Sequence, residues 1–287
     1  MTYAEFFEKI NIIPECREVF FAIEKRSCRE DFEEKVKISI ERIKVSDKCF
    51  GEFIPLFARQ ENLTPEELTL YIYLRMLRHT YDDWKKRGIP DDVFAETANG
   101  INNNAKRCKE QYGMFGVPQK VYREWLRLIS IGKLFSLNKG FIFELRESEC
   151  EGEVFGRKLE LGDPVISIHI PAGFRLEKAD FEASIGDARA FFGKYFGMEH
   201  VIFRCRSWLM HPWLCDVLPE NSRIVGFQKS FTILQKEENL ENVMYWVFRG
   251  HNTEDISVLP QDTSLRRACI ENIKNKVPMG VGTGFRI

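Results

Sequence analysis

Two short apolar runs in the second half of the chain carry residues that could do chemistry. His169 lies near the end of residues 165–170, and Cys205 and Ser207 lie within residues 201–208. An imidazole titrates near neutral pH, so His169 is a candidate general base or substrate-positioning residue. A cysteine beside a histidine could instead be a nucleophile that forms a covalent intermediate. No third orienting group is evident, and plain burial of both side chains stays an open alternative.

The turn after the first run has the residues of an anion-binding site. Gly173 lets the backbone approach a ligand, and Arg175 and Lys178 add positive charge before a helical run. Backbone amides at the start of a helix favour an anion. Glu177 and Asp180 oppose this interpretation, because an acidic cap would compete for the same amides. The sequence predicts a phosphate site here, with an ordinary helix cap as the alternative.

A strand, a crossover helix and a second strand position these residues. Between the two runs, Phe181, Ile185, Ala188 and Phe192 recur at three- and four-residue spacing and predict a helix over residues 180–196. Such a unit makes the two strands parallel neighbours. Ligands of α/β sheets collect at the carboxyl ends of such strands, which is where the candidate residues lie.

The first half of the chain, residues 1–131, has the pattern of an all-helical domain. Its strongest signal is Thr64, followed by proline and two glutamates, which predicts a capped helix running to about Lys86. His79 and Asp83 fall one turn apart on this helix and could line a substrate cleft. A solvated face with internal ion pairs is the alternative for these two residues.

Residues 132–287 have a mixed pattern. Short aromatic or alternating runs predict an antiparallel meander before the strand–helix–strand unit, and they lie at residues 134–137, 140–145 and 158–161. Further strands are predicted at residues 222–234 and 243–248, with a last helix after Thr263. The predicted fold class is therefore two-domain α+β, with an all-α domain at residues 1–131 and a mixed α/β domain at residues 132–287.

Composition narrows the class of protein. The formal net charge is −1 with acids and bases interspersed, which gives no argument for binding nucleic acid or a membrane surface. An acidic amino terminus does not resemble a signal peptide, and no apolar run approaches the length of a membrane span. The eight cysteines are scattered without a Cys-x-x-Cys pair. We therefore expect a cytoplasmic protein with reduced cysteines and no metal.

Two motifs resemble those of a known family. Residues 162–173 read Gly-Asp-Pro-Val-x-x-x-His-Ile-Pro-x-Gly, and residues 205–212 read Cys-x-Ser-Trp-Leu-x-x-Pro. With the helical first half, they resemble a bacterial family of N-acyltransferases that joins an all-helical N-terminal domain to a GNAT-like C-terminal domain. The resemblance covers nearly the whole chain. The Arg/Gln-x-x-Gly-x-Gly/Ala loop, which is the usual pyrophosphate signature of GNAT enzymes, is absent.

The resemblance implies an activity and a set of site residues. It implies transfer of an acyl group from a coenzyme A thioester to a small-molecule or peptide amine, by direct attack. In the GNAT fold the strand matched by residues 165–170 supplies a donor to the thioester carbonyl, and its splay from the next strand holds the pantetheine. The expected catalytic residues are His169, Ser207 and Cys205. The expected coenzyme-binding residues are Ile170, Gly173, Phe174, Arg175, Lys178 and Trp208.

The acceptor is expected in a cleft walled by His79 and Asp83. Two other functions stay open at this point. One is a transferase or hydrolase that depends on Cys205 and His169, and the other is a ligand-binding module without catalysis.

Overall fold

A computed structural model of the chain describes residues 1–46, 48–118, 123–137, 140–171, 175–248 and 255–287. The chain divides into two units, Met1–Lys139 and Gly140–Ile287. The predicted boundary between residues 131 and 132 falls between the last helix of the first unit and the strand that follows it.

The first unit contains the predicted helices. They are α1 (Tyr3–Lys9), α2 (Pro14–Glu24), α3 (Glu30–Val45), α4 (Cys49–Gln60), α5 (Pro65–Lys86), α6 (Asp91–Tyr112) and α7 (Arg123–Ser130). A short strand, β1 (Leu134–Ser136), packs against α6 and α7. The helical character predicted for the first domain is confirmed.

Helix α5 is the centre of the first unit, because it packs against α2, α3, α4, α6 and α7. Its first turn has the predicted capping box: the Thr64 side chain accepts from the Glu67 amide, and the Glu67 side chain accepts from the Thr64 amide. Buried apolar residues then surround most of the helix. Tyr71 donates its hydroxyl to the Glu24 carboxylate at 2.6 Å, so a buried polar group is satisfied.

The second unit is mixed α/β. Its strands are β2 (Ile142–Glu147), β3 (Gly152–Val154), β4 (Arg157–Leu159), β5 (Pro164–His169), β6 (Phe203–Ser207), β7 (Thr232–Glu238) and β8 (Gly280–Arg286). Its helices are α8 (Lys178–Phe196), α9 (Trp213–Val217), α10 (Arg223–Gln228), α11 (Leu240–Phe248) and α12 (Ser264–Lys274).

The strands of the second unit run in the order β2-β5-β6-β8-β7 in its main sheet. β5 and β6 are parallel, and the other neighbouring pairs are antiparallel. β4 pairs with β3 in a separate hairpin, so the run at residues 158–161 does not continue the predicted meander from β2. Helix α8 connects β5 to β6, which confirms the predicted strand–helix–strand unit.

One predicted strand is helical, and another begins as a helix and ends in β7, which starts at Thr232. The start of the run at residues 222–234 is α10, where the Ser222 hydroxyl accepts from the Val225 amide at 3.2 Å. The run at residues 243–248 lies in α11. Asn239 caps the start of this helix, because its side chain accepts a hydrogen bond from the Asn242 amide at 2.9 Å. These local side-chain caps favour helix over strand, and the apolar residues of α11 then pack on one face.

The glycine-rich end of the chain is an interior strand. β8 lies between β6 and β7, and a Cβ atom at Gly282 would clash with the Met210 carbonyl oxygen. Glycine is therefore required for this close approach. Within the described part of the chain, no helix is long and apolar enough to cross a membrane.

Candidate active site

The parallel strands β5 and β6 part at their carboxyl ends. Their register pairs Ile166 with Phe203 and Ser167 with Arg204, and no later pair joins them among the described residues. β5 nevertheless continues to pair with β2 as far as His169, and β6 stays paired with β8 to its last residue. The gap therefore lies between two strands that are each held in place on their outer side.

His169 lies at this opening and bonds to a buried acid. Its Nε2 is 2.8 Å from Oε2 of Glu144, which β2 places opposite Ser167. The histidine side chain is 32% exposed, so the imidazole can reach a ligand while the carboxylate behind it is buried. A carboxylate bonded to one ring nitrogen fixes the tautomer and orientation of a histidine.

The electrostatic surroundings keep Glu144 ionised. Burial raises the pKa of its carboxyl, but the hydrogen bond and charge of His169, with the charges of Arg146 and Arg204, outweigh burial. The pKa of Glu144 therefore lies below its usual value. An ionised acid next to His169 stabilises the imidazolium that forms when the ring accepts a proton.

Cys205 does not meet His169. The register aligns Ser167 with Arg204, so His169 shares a sheet face with Arg204, whereas Cys205 points to the opposite face. Helix α8 covers that face, where Arg189 lies over the Phe203 ring at 5.8 Å. Burial raises the pKa of the Cys205 thiol to about 12, which removes the thiolate that a nucleophile needs.

Ser207 and Trp208 have local contacts of their own. Ser207 lies on the face of Cys205 and accepts from the Leu209 amide at 3.2 Å, so it caps the 3₁₀ turn Trp208–Met210. Trp208 packs against the apolar cluster that contains Trp213 and Leu214. Ser207 therefore does not share the sheet face of His169. Ile170 follows β5 directly and is half-buried at the opening.

The start of α8 is compatible with an anion. Gly173 and Phe174, two of the predicted coenzyme-binding residues, lie outside the described residues, whereas Arg175 and Lys178 are described and exposed. Glu177 precedes the helix, but its side chain makes no cap hydrogen bond and instead pairs with an arginine of α10. The acidic cap that would compete for the first amides is therefore not formed.

His79 and Asp83 lie within the first unit, in a groove of about 590 Å³ between α3 and α5. Both side chains are exposed, and Asp83 pairs with Lys86 at 3.1 Å. Opposite charges from both helices line this groove. Its position between α3 and α5 is compatible with a binding role and equally with the solvated face that the sequence left open.

Glu144 is the functional candidate that the sequence reasoning missed. The available signal was an acid between Phe143 and Leu145 in a run otherwise read as apolar strand. A buried acid in that pattern requires a partner, and the antiparallel register supplies His169. Among the described residues, no group of three histidine, cysteine or acidic side chains could hold a metal ion.

Two domain families match the sequence. Residues 118–286, more than half of the chain, match the GNAT-like C-terminal domain. Residues 1–130 match the N-acyltransferase N-terminal domain. No curated protein matches the chain.

Solved acyltransferase structures share the fold along nearly the whole chain. One in complex with decanoyl-CoA has a TM-score of 0.67 at 19% identity, covering 99% of this chain and 86% of that one. A variant in complex with octanoyl-CoA has a TM-score of 0.66 at 20% identity, with coverages of 99% and 87%. A complex with decanoyl-CoA and teicoplanin has a TM-score of 0.65 at 21% identity, also with coverages of 99% and 87%.

The matched ranges agree with the resemblance that the two motifs carried, since a helical domain precedes a sheet in which two parallel strands part. The chain belongs to the N-acyltransferase family in which this N-terminal domain is joined to a GNAT-like C-terminal domain.

Proposed function

We propose that the protein transfers an acyl group from a coenzyme A thioester directly to an amine, in a ternary complex. The observation that carries the proposal is the parting of β5 and β6 beside the bonded pair of His169 and Glu144. The gap suits a narrow, extended thioester arm, and the pair suits proton transfer at its end.

The donor is proposed to enter between the strands with its phosphates at the start of α8. Amides that no side chain caps, together with the charges of Arg175 and Lys178, favour the pyrophosphate. Gly173 and Phe174 remain candidates on the basis of the sequence. Two of the similar acyltransferase structures hold octanoyl-CoA and decanoyl-CoA, which supports an acyl chain of that length here.

The proposed reaction uses few protein groups. When Nε2 of His169 donates to Glu144, Nδ1 carries the lone pair and accepts a proton from the attacking amine. The nitrogen–carbon bond forms as the carbon–sulfur bond breaks, and coenzyme A leaves as a thiolate that takes up a proton. Backbone of β5 beyond Ser167 borders the gap and is proposed to donate to the thioester carbonyl.

The acceptor is proposed to be a small-molecule or peptide amine. One similar acyltransferase binds teicoplanin together with decanoyl-CoA, which supports a bulky acceptor for this chain. His79 and Asp83 are proposed to contact the acceptor. Replacing both by alanine is expected to raise the KM for the amine severalfold while the Kd for octanoyl-CoA stays constant. Unchanged constants for both substrates in a folded protein would remove these two residues from the site.

Thermal unfolding tests the proposed donor. Octanoyl-CoA at one hundred times its Kd should stabilise the protein by about 2.7 kcal/mol. Coenzyme A alone should give a smaller stabilisation, because it lacks the acyl chain that the gap would hold. No stabilisation by either compound, at any concentration up to millimolar, would contradict the proposal.

A further inference from the structure

A polar pocket of about 510 Å³ lies on the sheet face that carries His169. The pocket is lined by arginines from two strands, by two acids and by the polar side chains between them. The cations are Arg146 on β2 with Arg204 and Arg206 on β6, and the acids are Glu149 and Glu237.

Arg204 is the buried centre of this pocket. Its side chain is only 4% exposed, and a cation at that depth needs partners that compensate for lost hydration. It donates to the Ser167 hydroxyl at 3.3 Å and to the Glu149 carboxylate at 3.1 Å. Its Nε has no hydrogen-bond partner among the described residues. Burial, and then the charge of Arg146, lower the pKa of Arg204.

The carboxylate that binds Arg204 is shared with a second arginine and is exposed to solvent. Glu149 also pairs with Arg146, whose Nε likewise lacks a partner in the described part of the chain. The Glu149 side chain is 58% exposed, on the segment that follows β2. Two arginines therefore converge on one carboxylate that water can reach. An incoming carboxylate can take its place without dismantling the sheet.

The pocket also reaches the reacting end of the site. His169 lines it, and Ser167 lies on the same face of β5 between His169 and Arg204. A molecule whose anionic group bonds to Arg204 thus has its other end beside the imidazole. Arginine binds carboxylates with paired hydrogen bonds, which fixes orientation as well as position.

We propose that Arg204, with Arg146, binds a carboxylate carried by the acceptor amine, so that the substrates are amines bearing a nearby carboxylate. The inference rests on the proposed function, because it names the acceptor of that same site. In this account the Glu149 carboxylate occupies the position until the acceptor displaces it.

Product binding tests the assignment without turnover. Calorimetry on the protein saturated with coenzyme A would compare N-octanoylglycine with N-octanoylglycinamide, and N-octanoylphenylalanine with its amide. The acid should bind roughly ten- to a hundredfold more tightly than the amide in at least one pair, as charged hydrogen bonds allow. Arg204→Gln should remove this preference, and the exposed-site control Arg157→Gln should keep it.

A second variant acts in the opposite direction. Glu149→Gln removes the internal competitor, so it should tighten binding of the acid severalfold and leave the amide unchanged. This variant decides the question alone if Arg204→Gln does not fold. Equal binding of acid and amide in both pairs, or no binding in either, overturns the proposal.

The carboxylate could otherwise belong to the acyl chain. Titrations with octanoyl-CoA and glutaryl-CoA separate the two sources, because an acyl-borne carboxylate predicts tighter binding of glutaryl-CoA that depends on Arg204. That result would overturn the acceptor assignment. Binding of octanoyl-CoA without any preference for acidic products would leave the proposed function standing and remove this inference.

Discussion

Replacing His169 by glutamine removes the proposed base and keeps its contact with Glu144. A glutamine amide can still donate a hydrogen bond to the carboxylate that His169 Nε2 meets at 2.8 Å, but it cannot accept the proton of the amine. The change therefore separates proton transfer from the packing around the pair.

The expected loss follows from the part that a positioned base plays. General base catalysis contributes roughly 10²–10⁴-fold, so kcat should fall by that factor, or about 3–5 kcal/mol in the activation free energy. The Kd for octanoyl-CoA should change less than twofold, because the strand gap is unaltered. The unfolding free energy should stay within about 1 kcal/mol, because the buried carboxylate keeps a donor.

The assay is release of the coenzyme A thiol, with octanoyl-CoA binding measured in parallel. Cys205→Ala is the matched control, since Cys205 lies one strand away on the opposite face of the sheet. It should keep most of the activity. If His169→Gln retains more than a tenth of kcat, the proton is accepted elsewhere and the reasoning fails.

Three further predictions concern the donor site, the buried acid and the thiol. Replacing both Arg175 and Lys178 by glutamate reverses two charges, and it should weaken octanoyl-CoA binding at least tenfold at low salt and less at high salt. An unchanged affinity in calorimetry would mean that the phosphates bind elsewhere. The folded protein lowers the pKa of Glu144 below the ordinary value of 4.5. Its contribution to the unfolding free energy is therefore complete above pH 4.5 and is lost as the pH falls through the folded pKa. In Glu144→Gln, the unfolding free energy measured at acidic pH should therefore fall less steeply with decreasing pH than in the unaltered protein. Iodoacetamide should label the exposed Cys28 long before the buried Cys205, as peptide mass spectrometry would show; the reverse order would contradict the burial that raises the pKa of Cys205.

The elements with strong local signals were predictable from the sequence. The capping box at Thr64 sets the start of α5, and the apolar spacing that begins at Phe181 marks the buried face of α8. Residues 243–248 misled the prediction, since a continuous apolar run fits a strand or a helix. The Asn239 cap, which lies outside that run, decides for the helix.

The site was predictable only in part, because its partners come from register. Alternation places His169 on one face of its strand, but Glu144 and Arg204 become its neighbours only through pairing with β2 and β6. Nothing in one strand reveals the alignment of the next. The same alignment separates Cys205 from His169, although their places on neighbouring predicted strands suggested a pair.

A quenched single-turnover experiment tests the central claim most directly. The protein is mixed with a slight deficiency of octanoyl-CoA and an excess of amine, and protein, coenzyme A and product are followed by mass spectrometry. Direct attack at the gap beside His169 predicts that N-octanoyl product and coenzyme A appear at one rate, with no octanoyl group on the protein at any time. An octanoyl-protein adduct that forms and decays at a rate sufficient to carry the product would contradict the account.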